Sequence, residues 1–218
     1  MLNPKGQRRR FNEVYIEPSK EFRKIYLTDD TLSWVDVGHI STNEGGLTNE
    51  EFEELWKEKP AKKATIKIFG KTVECPRYTK NYLNPYTFSG IEHEALEKMP
   101  KVIERLYIYS KGISPNLNQC LVNFYEANGS IGKHSDNEKQ IVRGSDIHSW
   151  TFGPASRYFV LESLNGSERF KINVTHNTLL IMGGKCQEEF CHQVPKKLNI
   201  DSEDVNERRI NVTFREFR

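Results

Sequence analysis

The second half of the chain has the pattern of a series of β-strands. From Gln119 onward, apolar residues alternate with polar ones in short runs separated by Gly, Asn and Pro. A period of two is typical of strands with one buried face, so we predict strands over 119–126, 146–152, 157–162, 170–175, 178–182, 190–194 and 208–216. No further helix is expected there. About seven short strands joined by turns indicate a sandwich or a jelly roll.

Helical spacing is confined to two segments of the first half. Thr48 and Glu51 form a capping box in front of apolar residues three and four positions apart, which predicts a helix near 49–58. A second helical pattern runs from about 93 to 109, and we expect Pro100 to divide it in two, because proline interrupts a helix.

Between these helices the pattern predicts a hairpin and a loop. Apolar and polar residues alternate over 64–77 on both sides of a Gly-Lys turn, which indicates a hairpin. Over 76–90 the periodicity is lost, and we interpret the segment as an irregular loop of the kind that often covers a site. Its aromatic residues are Tyr78, Tyr82, Tyr86 and Phe88.

Composition is that of a large globular domain. The chain has 218 residues, of which 36% are hydrophobic and 28% are charged. No apolar run approaches the roughly 18 residues of a membrane span, and the basic start is not followed by the apolar region of a signal peptide. We therefore expect no membrane association and an intracellular location, cytoplasmic or nuclear. The four cysteines form no CxxC pair, so we expect reduced, mostly buried thiols.

The net charge of +2 is unevenly distributed. Residues 57–80 contain eight Lys or Arg against two Glu. Such a segment is either solvated surface or a stripe that tracks nucleic-acid phosphates, and charge alone does not decide between them.

The residues His134 and Asp136 form the first candidate site. Positions two apart on an extended chain share a face, so both side chains can reach one ion, and a distant His192 would complete the two-His-one-carboxylate set that suits Fe(II). On its own the pair is weak evidence, because a surface turn after Gly132 would also produce it. Two rival metal sites rank lower, namely Asp146-x-His148 and a zinc site formed by Cys186, Cys191 and His192.

The last strand offers an anion-binding surface. Its alternation places Arg209, Asn211, Thr213 and Arg215 on one face and three apolar residues on the other. If the polar face is exposed it is ordinary surface; if it points inward, the two guanidinium groups suit a dicarboxylate, because guanidinium binds carboxylate in a bidentate fork. Asn123 and Tyr125 share a face of the first predicted strand and could hydrogen-bond a small ligand.

Together these motifs resemble the AlkB family of Fe(II)- and 2-oxoglutarate-dependent dioxygenases. The matching order is Asn123-x-Tyr125, His134-Ser-Asp136-Asn-Glu138, His176 to Gly184, His192-x-Val-Pro, and Arg209-Ile-Asn211-Val-Thr-Phe-Arg215. Upstream, Pro76-Arg77 and Tyr86-Thr-Phe88-Ser-Gly are similar to the nucleotide-recognition lid of the family's demethylases. The resemblance covers roughly residues 64–217.

The resemblance implies a fold and a division of the chain. The expected fold is mostly β with N-terminal helices (α+β), built on a double-stranded β-helix, or jelly-roll, core of about 117–217 under a nucleotide-recognition lid of about 64–92. The oxygenase domain would span 61–218. Residues 1–60 would be an N-terminal extension with a short helix, packed on the core or preceding it.

The resemblance also implies the ligands and their residues. His134, Asp136 and His192 would bind Fe(II) and carry the catalysis, and one coordination position would remain for O2. The co-substrate 2-oxoglutarate would be bound by Asn123, Tyr125, Arg209, Asn211 and Arg215. Glu138 would face the target base, on which Tyr78, Tyr86 and Phe88 could stack.

The implied activity is oxidative demethylation of N-alkylated bases in RNA or DNA, such as 1-methyladenine or 3-methylcytosine, with N6-methyladenine as a further candidate. It would couple 2-oxoglutarate decarboxylation to methyl hydroxylation, releasing formaldehyde, succinate and CO2. We expect methylated single-stranded nucleic acid as the partner and a monomeric protein. Two alternatives stay open: a protein oxygenase on the same scaffold, and a nucleic-acid-binding module without turnover.

Overall fold

Two sheets and a layer of helices form the body of the molecule. The computed structural model describes residues 11–68, 71–88, 91–197 and 204–218. The helices are α1 (Asn49–Lys57), α2 (Lys101–Ile113) and the single turn α3 (Cys186–Glu189). The first eight strands are β1 (Asn12–Ile16), β2 (Arg23–Tyr26), β3 (Ser33–His39), β4 (Thr65–Ile68), β5 (Lys71–Glu74), β6 (Tyr78–Tyr82), β7 (Tyr86–Phe88) and β8 (Ile91–His93). The second eight are β9 (Gln119–Tyr125), β10 (Ile131–His134), β11 (Ile147–Phe152), β12 (Arg157–Ser163), β13 (Glu168–Val174), β14 (Thr178–Gly184), β15 (Phe190–Val194) and β16 (Arg209–Arg215).

The sheets have the topology of a jelly roll. One sheet has the order β1-β13-β12-β15-β10, and the other has the order β2-β3-β14-β11-β16-β9-β6. The pairs β4-β5 and β7-β8 form separate two-stranded ribbons. All seven strands predicted from the alternating pattern are confirmed to within two residues at each end.

Two apolar layers hold the sheets and helices together. Between the sheets, residues such as Val37, Leu161 and Ile172 are almost fully buried. On the other face of the larger sheet, Phe52 of α1 and Leu106 of α2 pack against its strands. Inner strands of the larger sheet, such as β14, therefore present one face to the helices and the other to the smaller sheet.

Helix α1 begins at the predicted capping box. The Thr48 hydroxyl accepts a hydrogen bond from the backbone N–H of Glu51, and the Glu51 carboxylate accepts one from the backbone N–H of Thr48. Glu51 also forms a two-pronged ion pair with Arg105, with both N–O distances 2.7 Å. The cap therefore fixes the start of α1 and also joins it to α2.

Three predictions about the first half and the connections are wrong. The second helical pattern yields one helix, which begins after Pro100, because Pro100 has an extended backbone conformation and caps the helix instead of dividing it. Residues 91–93 form a strand. The segment interpreted as an irregular loop contains β6 and β7. β6 pairs with β9 at the edge of the larger sheet, a contact that local periodicity does not reveal. A short helix, α3, also interrupts the strand-rich half.

Strands from the start of the chain complete both sheets. β3 pairs with β14 over its whole length, and β1 runs parallel to β13. In the described part of the chain, no helix is both long and apolar enough to cross a lipid bilayer.

Candidate active site

The three candidate metal ligands meet at one end of the space between the sheets. His134 ends β10 and lies directly opposite His192 of the antiparallel β15, with 4.2 Å between the ring centroids. Asp136 follows two residues later, and its Oδ1 is 3.7 Å from His134 Nε2. One ligand atom from each of the three residues lies within 4.8 Å of the others.

Hydrogen bonds around the His134 ring prepare it for a metal. Its Nδ1 is 2.8 Å from the carbonyl oxygen of Gly132. Because a carbonyl only accepts, Nδ1 carries the proton, and the lone pair of Nε2 is available on the side of Asp136. The ring of Phe159 stacks on His192 with centroids 5.1 Å apart, which fixes that imidazole in an apolar wall.

Asp136 is held at both its backbone and its side chain. Its backbone N–H donates to Oε1 of Gln187 at 2.8 Å. Its Oδ2 accepts hydrogen bonds from Nε and Nη2 of Arg215 at 3.2 and 3.0 Å. Oδ1 is thereby left to face the imidazoles.

Protonation at the triad suits a divalent cation. Burial lowers the pKa of His192 to about 3, so the ring is neutral near pH 7. Burial alone would raise the pKa of Asp136, but the Arg215 guanidinium and the two imidazoles outweigh it and hold that pKa at about 2. Neutral imidazoles with one carboxylate are the facial triad typical of non-haem Fe(II), so the residues fit that metal.

A cavity of about 410 Å3 lies beside the triad and is lined by both sheets. Arg209, Asn211, Thr213 and Arg215 all line it, so the polar face of β16 points inward. Arg209 is only 3% exposed and lies over the ring of Tyr125 at 4.0 Å. Its Nε and Nη2 have no hydrogen-bond partner among the residues that the structure describes.

These two unpartnered donors are the strongest sign of a bound anion. Leaving buried N–H groups unpaired costs about 1–3 kcal/mol each, so such groups are rare unless a ligand completes them. Burial lowers the pKa of Arg209, but the guanidinium remains a cation near neutral pH. A carboxylate of 2-oxoglutarate has the charge and the planar shape to accept both hydrogen bonds.

Arg215 has a different environment from Arg209. Two of its nitrogens are bound to Asp136, and only Nη1 lacks a partner within the described ranges. Burial would lower the pKa of Arg215, but Asp136 outweighs it and raises that pKa. The predicted pair of arginines is thus unequal, with Arg215 tied to a metal ligand and Arg209 free to bind a co-substrate.

The other predicted co-substrate residues also line the cavity. Asn123 Oδ1 accepts hydrogen bonds from Nε of Arg77 and the hydroxyl of Thr79. The Asn211 amide donates to Ser149 Oγ and to the Trp150 carbonyl oxygen, and its Oδ1 accepts from Thr213. Asn211 therefore lines the cavity while its amide is hydrogen-bonded within the sheet, and its expected role in co-substrate binding stays a prediction.

The predicted substrate residues separate into three groups. Tyr86 lines the cavity, and its hydroxyl donates to Glu138 Oε1 at 2.8 Å. Glu138 itself lines a second cavity of about 610 Å3 on the other side of Asp136. Tyr78 is directed elsewhere, since its hydroxyl binds Glu126 and Lys59 lies over its ring at 3.6 Å. The side chain of Phe88 lies outside what the structure describes.

Two functional neighbours had no place in the predicted site. Arg77 reaches the cavity from the segment before β6, and only its position beside Pro76 in the lid-like motif hinted at it. Gln187 holds the Asp136 backbone from α3, and no pattern in the sequence marks it.

The rival metal sites do not form. In the described residues, the triad is the only group of three or more His, Cys, Asp or Glu that could hold an ion. Asp146 and His148 are each hydrogen-bonded to Ser114 Oγ. Cys191 is a free thiol that donates to the Glu162 carbonyl oxygen, and Cys186 is a free, buried thiol.

Comparison with known proteins defines the class. Residues 41–215 match the family model of the 2OG-Fe(II) oxygenase superfamily. The chain therefore belongs to this superfamily, whose cofactors are Fe(II), 2-oxoglutarate and O2.

Its curated relatives are proteins named as AlkB homologues. Over 179 residues it is 35% identical to the Bos taurus alpha-ketoglutarate-dependent dioxygenase alkB homolog 3, covering 75% of this chain and 59% of that protein. Over 183 residues it is 29% identical to the Homo sapiens DNA oxidative demethylase ALKBH2, covering 77% of this chain and 67% of that protein. The chain thus spans about three-fifths of the length of its alkB homolog 3 relative.

A solved structure shares the fold. OsALKBH1 has a TM-score of 0.59 with this chain at 16% identity, covering 89% of this chain and 100% of that one. At this identity the likeness concerns the jelly roll alone.

Proposed function

We propose that this chain is an Fe(II)- and 2-oxoglutarate-dependent dioxygenase that demethylates N-alkylated bases in nucleic acid. The observation that carries the proposal is the joint placement of the triad and Arg209 on one cavity that Tyr86 also lines. One relative is named as a DNA oxidative demethylase, which supports nucleic acid as the substrate class.

Within the cavity, the side chains divide the work. His134, Asp136 and His192 would hold Fe(II), and Arg209 would bind a 2-oxoglutarate carboxylate through its Nε and Nη2. Arg215 keeps Asp136 ionised and oriented, with Nη1 left to bind a second anionic oxygen. The metal, 2-oxoglutarate and O2 would together supply oxidative decarboxylation coupled to methyl hydroxylation, giving succinate and CO2, and the hydroxymethyl group would then leave the base as formaldehyde.

The substrate side of the cavity suits a flat, cationic base. Tyr86 offers a ring for stacking, and its hydrogen bond to Glu138 places a carboxylate next to that ring. Bases such as 1-methyladenine and 3-methylcytosine carry a positive charge, which that carboxylate would attract. Single strands are the preferred form, because extruding a base from a duplex costs a few kcal/mol.

Mass spectrometry of defined oligonucleotides tests the proposal. RNA and DNA strands carrying 1-methyladenine, 3-methylcytosine or N6-methyladenine, single-stranded or paired, are incubated with the protein, Fe(II), 2-oxoglutarate and ascorbate. We expect the methyl mass to be lost from single strands, and no loss with Asp136→Ala.

The outcomes separate the alternatives. Consumption of 2-oxoglutarate with every methyl group retained would favour a protein oxygenase. Binding of nucleic acid without consumption of 2-oxoglutarate would favour the module without turnover.

A further inference from the structure

Three exposed cations surround the second cavity. Lys139, Arg143 and Arg218 all line it, and all three are exposed. Across the described part of the chain, no carboxylate forms an ion pair with any of them. We call these three residues the cationic rim.

The backbone holds the cationic rim in a fixed arrangement. The backbone N–H of Arg218 donates to the Gln140 carbonyl oxygen at 2.9 Å, and that of Val142 donates to the Glu216 carbonyl oxygen at 2.9 Å. Between these bonds, Ile141 and Phe217 form an isolated antiparallel bridge. The C-terminal segment and the loop after Asp136 are thus paired, which brings Arg218 beside Lys139 and Arg143.

The rim is anchored on the wall of the active site. Ile141 and Phe217, each 6% exposed, form one apolar cluster with Tyr86 and Leu121. Tyr86 and Leu121 line the cavity that contains the triad. The rim and the proposed base-binding side of the active site are therefore two faces of the same packed unit.

Hydrogen bonds connect the rim to the lid strand as well. Gln140 Oε1 accepts a hydrogen bond from the Thr87 backbone N–H at 3.3 Å, and Glu138 accepts one from Tyr86. The loop therefore carries a metal ligand at residue 136, a contact to the base-stacking tyrosine at 138, and rim cations at 139 and 143. A strand whose base lies against Tyr86 would have its neighbouring phosphates close to these cations.

Three lysines of the basic segment 57–80 are weaker candidates for phosphate binding than the rim. Lys57 pairs with Glu54, Lys63 with Glu126 and Lys80 with Glu58. These lysines have carboxylate partners, whereas the rim residues have none in the described chain. Of the acidic residues at the second cavity, Asp136 is paired with Arg215 and Glu138 accepts from Tyr86, while Glu188 is exposed on the wall formed by α3.

We propose that the cationic rim binds the phosphodiester backbone of the substrate strand next to the target nucleotide. The proposal rests on nucleic acid being the substrate of the adjacent active site. It assigns to Lys139, Arg143 and Arg218 the positioning of the strand, not the chemistry.

Salt dependence of binding tests the rim directly. Fluorescence anisotropy measures the affinity for a labelled single-stranded 12-mer with one 1-methyladenine at several NaCl concentrations, without Fe(II), so that no turnover is required. The variant is the triple change Lys139→Gln, Arg143→Gln and Arg218→Gln. The matched control removes three other exposed charges, through Lys20→Gln, Lys57→Gln and Lys101→Gln.

The expected result follows from counterion release. Each phosphate contact on a single strand contributes about 0.7 to the slope of log affinity against log salt, so losing three reduces the slope by about 2. At 0.1 M NaCl this is about a 100-fold loss of affinity, and the control triple should lose little. Because the replaced side chains are exposed, melting temperature and 2-oxoglutarate affinity should stay at wild-type values.

The contrary results are equally clear. An unchanged slope in the rim variant, or an equal reduction in the control triple, would overturn the rim as a strand-binding site. A different outcome would separate the two proposals. If the rim variant shows the predicted change in slope but the wild type never demethylates the 12-mer, the rim is supported and the proposed activity is overturned.

Discussion

Replacing Arg209 with methionine should separate the stability of the ligand-free fold from co-substrate binding. Arg209 is a buried cation whose Nε and Nη2 have no partner among the described residues, although its guanidinium lies over the ring of Tyr125 and is hydrogen-bonded to that residue. In the ligand-free protein Arg209 therefore lowers the free energy of unfolding. Methionine has a similar length, fills the same space and removes both unpaired donors.

Arg209→Met should weaken 2-oxoglutarate binding but should not lower the stability of the ligand-free protein. Two hydrogen bonds to a charged group are worth about 1.5–3 kcal/mol each, so losing both should weaken 2-oxoglutarate binding by at least about 3 kcal/mol, or about 100-fold. Replacing a buried ion pair with well-packed apolar side chains is often neutral or stabilising by about 1–4 kcal/mol, and burying a cation without a carboxylate partner is likewise costly. Arg209→Met should therefore unfold at the same temperature as the wild type or higher.

Two measurements on the same samples check this prediction. Calorimetric titration of 2-oxoglutarate into protein loaded with Mn(II) gives the affinity, and urea unfolding of the metal-free protein gives the free energy of unfolding. Arg209→Lys should recover part of the affinity, because it retains the charge but not the fork. The reasoning fails if Arg209→Met binds 2-oxoglutarate within threefold of the wild type, or if its free energy of unfolding falls by more than about 2 kcal/mol.

Three further predictions follow from the site and its surroundings. The wild type should give a weak visible charge-transfer band when Fe(II) and 2-oxoglutarate are added anaerobically, and Asp136→Ala should not; a band of equal strength in the variant would exclude Asp136 as a ligand. Gln187→Leu should weaken Co(II) binding about 10- to 100-fold, since it releases the Asp136 backbone, with Gln187→Glu partly restoring it and Glu188→Gln, on the exposed side of α3, leaving it unchanged. Burial lowers the pKa of His148 to about 4, below the 6.5 of an exposed histidine, so the unfolded chain takes up the proton first and stability is lost as the pH falls from about 6.5 to about 4. The loss reaches about 3 kcal/mol, and urea unfolding across that range should show a shallower decline for His148→Gln; equal slopes would contradict this origin.

The strands of the core were predictable because their residues alternate with the period of two that is typical of a strand. On β16, Ile210, Val212 and Phe214 face the helices while Arg209 and Arg215 face the cavity, as the period of two requires. The sequence left the direction of the polar face open, because alternation is the same whether that face is solvent or cavity. Only the packing of the smaller sheet over it decides the matter.

Other features depend on contacts that no local pattern encodes. β6 is a strand because it pairs with β9, which lies far from it in the sequence, although its own residues show no clear period. Asp136 is contacted by Gln187 and by Arg215, which lie on segments far from it in the sequence. The contact of Gln187 and the different roles of Arg209 and Arg215 therefore depend on how these segments come together in the fold. Tyr78 is the opposite case. Its place near a lid-like motif suggested that it stacks on the base, but its side chain lies against Glu126 and Lys59.

Strand β3 lies outside the stretch that matches the superfamily model, but it is part of the larger sheet. The match to the superfamily starts at residue 41, yet all seven residues of β3, which ends before that point, lie opposite residues of β14 in the larger sheet. A chain cut at residue 41 would leave β14 with an open edge and would uncover Leu180 and Met182, which pack with Val35 and Val37. The smallest stretch of this chain that can fold on its own is therefore expected to be longer than the stretch that matches the superfamily model.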